Sequence, residues 1–577
     1  MPVRRGVLAF VLVGAFLGLV VLAAALGLRR GAGFRGTGPV ALVFQVPEVL
    51  EEGAPPPRTF PWGGRRRARY TTYDVLRTLR AAGEDDRVRA LVLHVDGLDW
   101  GWAQVGEVRD AVARFRRTGK PVFASLTGGG EREYLLASAA DVVAMPPTAE
   151  LQLDGLTATA VYFRGAFDKL GVHANYAHVG RYKSGVEPYT RTGMSPESRA
   201  ALAAVLDDLY GLLVDSLATG RRLPRDSVGR LIDDGPWTAA EARRRGLLDT
   251  LLYDTEVDSL ALGRGRTRLA ATPFARYLAA HEPASQGPRV ALVVAEGAIV
   301  SGHSRQLPGQ EADLGSETVI DALRQARTRR AIKAIVLRID SPGGMAQASD
   351  DIWREVQRCR AVKPVIVSMS DVAASGGYYF AVAADSIVAS PATLTGSIGI
   401  FGGKLNILGL YQKLGLNVES VSRGRHAEML SPFHDFTPEE SARFEDALQT
   451  FYRGFVARVA RGRRMTPAAV DSVAEGRVWT GAAAVRRGLV DRLGGLDVAF
   501  EMARARARIP RGQELVVERF PRVHRTFLDR VLEDMLSGDA GQDDATLLPP
   551  LVRAWAAVER FPVGEPLALM PYRIEVR

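Results

Sequence analysis

Cysteine is almost missing: Cys359 is the only one among 577 residues. One thiol can form no intramolecular disulfide, thiolate metal cage or redox pair, so zinc fingers and iron–sulfur sites are excluded. Lysine is nearly as scarce. Of the 75 basic residues seven are lysine (Lys120, Lys169, Lys183, Lys333, Lys363, Lys404, Lys413) and 68 are arginine. A guanidinium keeps its proton, whereas an ammonium can lose one when desolvated, so only seven basic side chains are candidates for proton chemistry. The eight histidines are scattered, and none pairs with another at ligand spacing. No G-x-x-x-x-G-K-[ST], H-E-x-x-H or G-x-S-x-G occurs, which leaves a P-loop, a zincin site and a nucleophile elbow without a motif. Spacing singles out no Ser-His-Asp triad. The net charge of +10 is spread among carboxylates rather than massed, short runs such as Arg65, Arg66 and Arg67 aside, so no nucleic-acid partner is expected. After Leu28 no uninterrupted apolar run reaches membrane-spanning length.

What remains is a globular composition, 47% apolar and 24% charged, in a chain long enough to need two or more cores. Residues 7–28 read VLAFVLVGAFLGLVVLAAALGL, without a charge and bracketed by arginines. At about 1.5 Å per residue this stretch crosses a bilayer core. It exceeds the apolar region of a cleaved signal peptide, so an uncleaved signal anchor is the reading favoured, despite the small residues Ala23–Ala25. Residues 1–6 then form a cytoplasmic N-terminus and 29–37 a linker, and everything beyond lies on one side of the membrane. The basic stretch 58–69 reads as a solvated loop or, alternatively, as a contact for anionic headgroups.

The chain is written twice. VRALVLHVD at 88–96 returns as IKAIVLRID at 332–340, an offset of 244. The same offset relates KLGV at 169–172 to KLGL at 413–416, and Ala-Ala-Asp at 139–141 to that at 383–385. Two homologous repeats follow, 38–285 and 286–508. In each, short β-branched runs such as ALVLHV, AIVLRI and PVIVSM alternate with amphipathic stretches, the pattern of an α/β fold with parallel sheets and flanking helices. Residues 509–577 show no repeat partner, and their role is open.

Two glycine-rich elements in the second repeat stand out. Ser341-Pro342-Gly343-Gly344 follows the run AIVLRI, and Ser375-Gly376-Gly377 opens a helical stretch. A serine followed by its own helix-entry N–H, with a second N–H from another glycine loop, has the parts of a nucleophile beside an oxyanion hole. Each loop also reads simply as a turn, with Ser375 as a helix cap. The repeat adds a contrast. Opposite Ser375 the first repeat has Glu131, and opposite SPGG it has GLDW at 97–100. Conversely, Lys183 in the first repeat faces Ala427 in the second. Each repeat keeps what the other lacks, which points to one composite site.

The segments RYKSGVEPYTRTGMSPESR, RIDSPGG, AASGGYYFAVAAD and TGSIGI resemble the long, duplicated form of the signal peptide peptidase A family, over about residues 1–505. That resemblance implies a serine–lysine membrane peptidase on two tandem Clp protease/crotonase-like repeats. It implies Ser375 as nucleophile, Lys183 as general base, Ser397 as the hydroxyl that orients the lysine, and the N–H groups of Gly376 and Gly344 as oxyanion hole. It further implies no metal or cofactor, a homotetramer, signal peptides and other apolar peptides as substrates, and a single-pass protein of the cytoplasmic membrane with its catalytic part outside the cytoplasm. A crotonase-type acyl-CoA enzyme and a non-catalytic membrane scaffold are the alternatives.

Overall fold

The computed structural model describes residues 38–53, 70–263, 268–281, 284–305, 313–521 and 564–570. The expected anchor 7–28, its flanks 1–6 and 29–37, and the whole of the basic stretch 58–69 lie outside these. Among the described residues no helix is long and apolar enough to cross a membrane.

The architecture is mixed α/β and repeated. In the first repeat the strand order is Thr250–Leu251, Val142–Met145, Val122–Leu126, Val88–Val95, Val40–Gln45, Ala270–Pro273, all parallel. In the second, Arg492–Leu493, Ser386–Ala389, Val365–Ala374, Ile332–Ser341, Arg289–Glu296 and Val516–Phe520 follow the same order, again parallel. The apolar runs recognised in the sequence are the central strands. They are buried on both faces, as parallel strands covered by helices are. Each repeat also carries a 26-residue helix, Pro196–Arg221 and Pro438–Arg463, capped by Ser195 and Thr437 and ended by an arginine at φ 55°.

The end of the second repeat differs from expectation. Val516–Phe520 takes the edge position that Ala270–Pro273 takes in the first sheet, so the second sheet runs past the expected boundary at 508. No sequence similarity signalled this, because an edge strand is specified by backbone pairing and a few apolar contacts rather than by a motif.

Two of the contacts that join the repeats stand out. His173–Val179, from the first, pairs antiparallel with Ile400–Asn406, from the second, from Val179 opposite Ile400 to His173 opposite Asn406. Elsewhere the wholly buried Arg338 guanidinium donates to Glu52 at 2.7 and 2.9 Å and to Glu107 at 2.9 Å, tying the second sheet to two carboxylates of the first repeat.

Candidate active site

Ser375 lies where Val365–Ala374 turns into the short helix Gly376–Ala381. Its backbone sits at φ 52°, ψ −109°, a strained conformation for a residue with a Cβ. Two bonds hold it there: Ser375 N–H donates to the Gly396 carbonyl at 2.8 Å, and Tyr379 N–H donates to the Ser375 carbonyl at 2.8 Å. The side chain is fully buried.

The two glycine loops touch each other behind it. A Cβ on Gly343, at φ 100°, would come within 2.7 Å of Gly376 N, and one on Gly377 within 3.0 Å of the Ser341 carbonyl oxygen. Gly344 would collide with the Ile299 backbone at 2.2 Å. Only glycine lets these backbones approach so closely.

Lys183 reaches the serine because the strand that precedes it has crossed into the second repeat. Beyond Val179 the chain leading into the lysine is held by two bonds: Tyr182 N–H donates to the Glu475 carbonyl at 2.8 Å, and Lys183 N–H to the Gly180 carbonyl at 3.0 Å. Arg181 pairs with the Glu475 carboxylate. Gly476, at φ 80°, leaves the space for this approach, since a Cβ there would stand 2.5 Å from Lys183 N.

The lysine Nζ lies 2.7 Å from Ser375 Oγ, 3.0 Å from Ser397 Oγ and 3.0 Å from the Ser397 carbonyl oxygen. All three side chains are fully buried. Burial without an opposing carboxylate holds the Lys183 pKa well below that of an ordinary lysine. A neutral amine has two N–H bonds and one lone pair. Ser397 offers two oxygens to the N–H bonds, which leaves the lone pair for the Ser375 hydroxyl. Ser397, at φ 49°, is itself held by its N–H to the Arg477 carbonyl at 2.8 Å.

Ser375, Lys183, Ser397, Gly376 and Gly344 are thus brought together from both repeats. Sequence reading missed Gly476, whose role appears only when the lysine's backbone is placed against it. It also missed the support of the serine's strand: Asp371 Oδ1 accepts from Ala103 N–H at 2.7 Å and Gln104 N–H at 3.1 Å of the first repeat, and Asp340 Oδ1 accepts from Val372 N–H at 2.9 Å. In the first repeat the equivalent position is filled from within. Glu131 Oε1 accepts from Asp154 N–H at 3.0 Å and Gly155 N–H at 2.8 Å, and Glu133 accepts from Leu98 N–H at 2.8 Å and Gly130 N–H at 3.0 Å. Backbone donors there are taken up by carboxylates.

The profile of Peptidase family S49 matches residues 114–263 and 357–509, once in each repeat. The chain is 34% identical over 465 residues to the chloroplastic serine protease SPPA of Arabidopsis thaliana, covering 79% of this chain and 68% of that protein. It is 32% identical over 477 residues to Protease 4 of Salmonella typhi, covering 80% and 76%. With Protease 4 of Haemophilus influenzae the identity is 31% over 458 residues, covering 75% and 73%.

Proposed function

The chain belongs to peptidase family S49 and is a serine peptidase of that family, and from that premise we propose that it is a membrane-anchored endopeptidase working through a Ser375–Lys183 dyad. The observation that carries this reading is the 2.7 Å separation of Lys183 Nζ and Ser375 Oγ at a fully buried junction of the two repeats.

In this reading neutral Lys183 takes the Ser375 proton as Oγ attacks a peptide carbonyl. The oxyanion is met by the N–H groups of Gly376 and Gly344. Protonated Lys183 then passes its proton to the leaving amine, and the acyl-enzyme is hydrolysed by water along the same route. Ser397 holds the lysine's N–H bonds and keeps its lone pair on the serine. No step calls for a metal or cofactor.

Signal peptides and other extended apolar peptides are the proposed substrates. Residues 7–28 would anchor the enzyme in the cytoplasmic membrane, with the catalytic part on the outer side, where such peptides are retained. A homotetramer belongs to the same proposal and has support from the repeat. Shifted by 244, the pairing of His173–Val179 with Ile400–Asn406 becomes 417–423 against 156–162. Residues 417–423 lie outside every strand described, and Val421 is 90% exposed. Pairing of 417–423 of one copy with 156–162 of another would be a head-to-tail contact, the kind that builds a ring when its rotation closes.

The test is turnover of an apolar peptide by Ser375→Ala, Lys183→Ala and Lys183→Arg, each expected to lose about 10³-fold or more in kcat. Normal turnover in either lysine variant would overturn the dyad. Acyl-CoA binding without labelling of Ser375 by a serine-reactive phosphonate would instead favour a crotonase-type enzyme, and failure to form any acyl-enzyme would favour a scaffold. The family match supports neither of these alternatives.

A further inference from the structure

The strand that carries the serine does not run straight to it. Against the central strand Ile332–Ser341 its register holds as far as Ile339 opposite Met369 and resumes at Ser341 opposite Ala373. Asp340 alone therefore faces three residues, Ser370, Asp371 and Val372. In the first repeat, by contrast, Leu91–Val95 pairs with Val122–Leu126 without a break. A bulge bends its strand and re-aims the side chains beyond it, and bulges gather beside active sites. This one changes the strand's partner. Before it Ile366–Met369 pairs with Ser386–Ala389; after it Val372–Ala374 pairs with Leu394–Gly396, which leads straight into Ser397. The bulge thus brings Ser375 alongside the hydroxyl that accepts from Lys183.

What fixes the bulge comes from the other repeat. Asp371 accepts from the N–H groups of Ala103 and Gln104 at 2.7 and 3.1 Å, the second and third residues of the 15-residue helix Trp102–Arg116. First-turn N–H groups have no partner within their own helix and are ordinarily taken up by the side chain of the capping residue. Here that residue is Gly101, which makes no side-chain cap, and a Cβ on it would stand 2.1 Å from Asp371 Cγ. An aspartate of the second repeat takes the place of the missing cap, with its carboxylate at the positive end of the helix. The socket is firmly built. Gly101 follows directly on the GLDW that stands opposite SPGG. Within it Asp99 N–H donates to the Glu48 carbonyl at 2.8 Å, and the fully buried Trp100 donates from its indole to the Pro47 carbonyl at 3.0 Å. Arg132 donates to the Trp100 carbonyl at 2.7 Å.

We propose that Asp371 and Gly101 are a positioning pair: the loop that stands in the first repeat in place of SPGG is a socket, and by capping the helix behind it Asp371 holds the bulge and sets Ser375 against Lys183. The inference rests on the Ser375–Lys183 reading. Asp371 takes no part in the chemistry itself. It acts through the backbone from 371 to 375, so its loss leaves the nucleophile, the base and the oxyanion donors present but out of register with one another. Misplacement of that kind slows the reacting step more than it weakens peptide binding.

The test measures kcat and KM of the full-length chain on an apolar reporter peptide, with Ser375→Ala as the blank. Asp371→Ala is expected to lose on the order of 10²-fold in kcat with KM little changed. Asp371→Asn keeps an oxygen for the same two N–H groups and should keep most of the wild-type kcat. Gly101 has φ −75° and ψ 168°, where alanine is unstrained, so a loss in Gly101→Ala comes from its methyl group displacing Asp371. Gly101→Ala is expected to fall as far as Asp371→Ala, and the double variant no further than either. A wild-type kcat in Asp371→Ala or in Gly101→Ala would overturn the positioning role. So would an Asp371→Asn as slow as Asp371→Ala, or losses that multiply in the double variant. Should Asp371→Ala fail to fold, Gly101→Ala and Asp371→Asn decide the matter by the same outcomes. Reporter turnover in Ser375→Ala equal to wild type would instead remove the dyad reading itself.

Discussion

At the scale of single residues the site is organised around a lysine whose pKa burial lowers well below the ordinary value. In the proposed dyad only the neutral amine can accept the serine proton, so activity should rise with pH through the depressed Lys183 pKa and then level off. The acid limb of a kcat/KM profile is therefore expected well below the value near 10.4 of an unperturbed lysine. A limb at the ordinary lysine value would contradict desolvation. Ser397→Ala removes one oxygen from the amine and leaves an N–H without its partner. A fall of about tenfold in kcat is expected, from a lost hydrogen bond of roughly 1–1.5 kcal/mol, with KM little changed. Gly476 is the less obvious residue. At φ 80°, with Lys183 N 2.5 Å from where a Cβ would be, Gly476→Ala should displace the lysine's backbone. A shift of that kind costs on the order of 10²-fold in kcat, and a wild-type kcat would show that the contact is not needed.

At the scale of elements one crossing makes the site possible. The strand His173–Val179 leaves its own repeat and completes the sheet of the other, so Lys183 arrives beside a serine 192 positions away in sequence. Gly403 sits within that pairing, where a Cβ would fall 2.1 Å from the Asn175 carbonyl oxygen. Gly403→Val should push the two strands apart and move the lysine while leaving both parallel sheets paired. The expected outcome is a loss of about tenfold or more in kcat with far-ultraviolet circular dichroism unchanged; full activity would mean that the lysine is placed without this strand. The glycine loops were legible in the sequence because their backbone demands require glycine. The crossing was not, because HANYAHV carries no sign of which sheet it joins.

At the scale of the whole molecule the repeats are sewn together by buried charge. Arg338 is fully buried between Glu52 and Glu107. Arg338→Met would leave both carboxylates without a cation, and breaking such a pair costs about 3–5 kcal/mol, readable as a large fall in Tm. Glu296 nearby is pushed up to about 7 by burial and by the charge of Glu52. A carboxyl whose folded pKa is raised binds its proton more tightly in the native state, so its contribution to stability is present below the unfolded pKa of about 4.5 and is lost as pH rises towards about 7. Glu296→Gln should flatten the decline of Tm over that interval. A slope unchanged by the substitution would exclude Glu296 as its source.

The repeat, the parallel α/β pattern, the two glycine loops and the complementary loss of serine from one repeat and lysine from the other were determined by the sequence alone, since backbone requirements and residue identity are local properties. The composite arrangement of Ser375 and Lys183 could be inferred from the repeat, but the separation of their reacting atoms could not. Tertiary structure decided that distance, the desolvation of the lysine, the place of Val516–Phe520 in the second sheet and the docking of Asp371 on a helix of the first repeat. Each of these depends on which backbone edges meet and which side chains lose water, and short strands such as VVERF carry too little local information to name their partners.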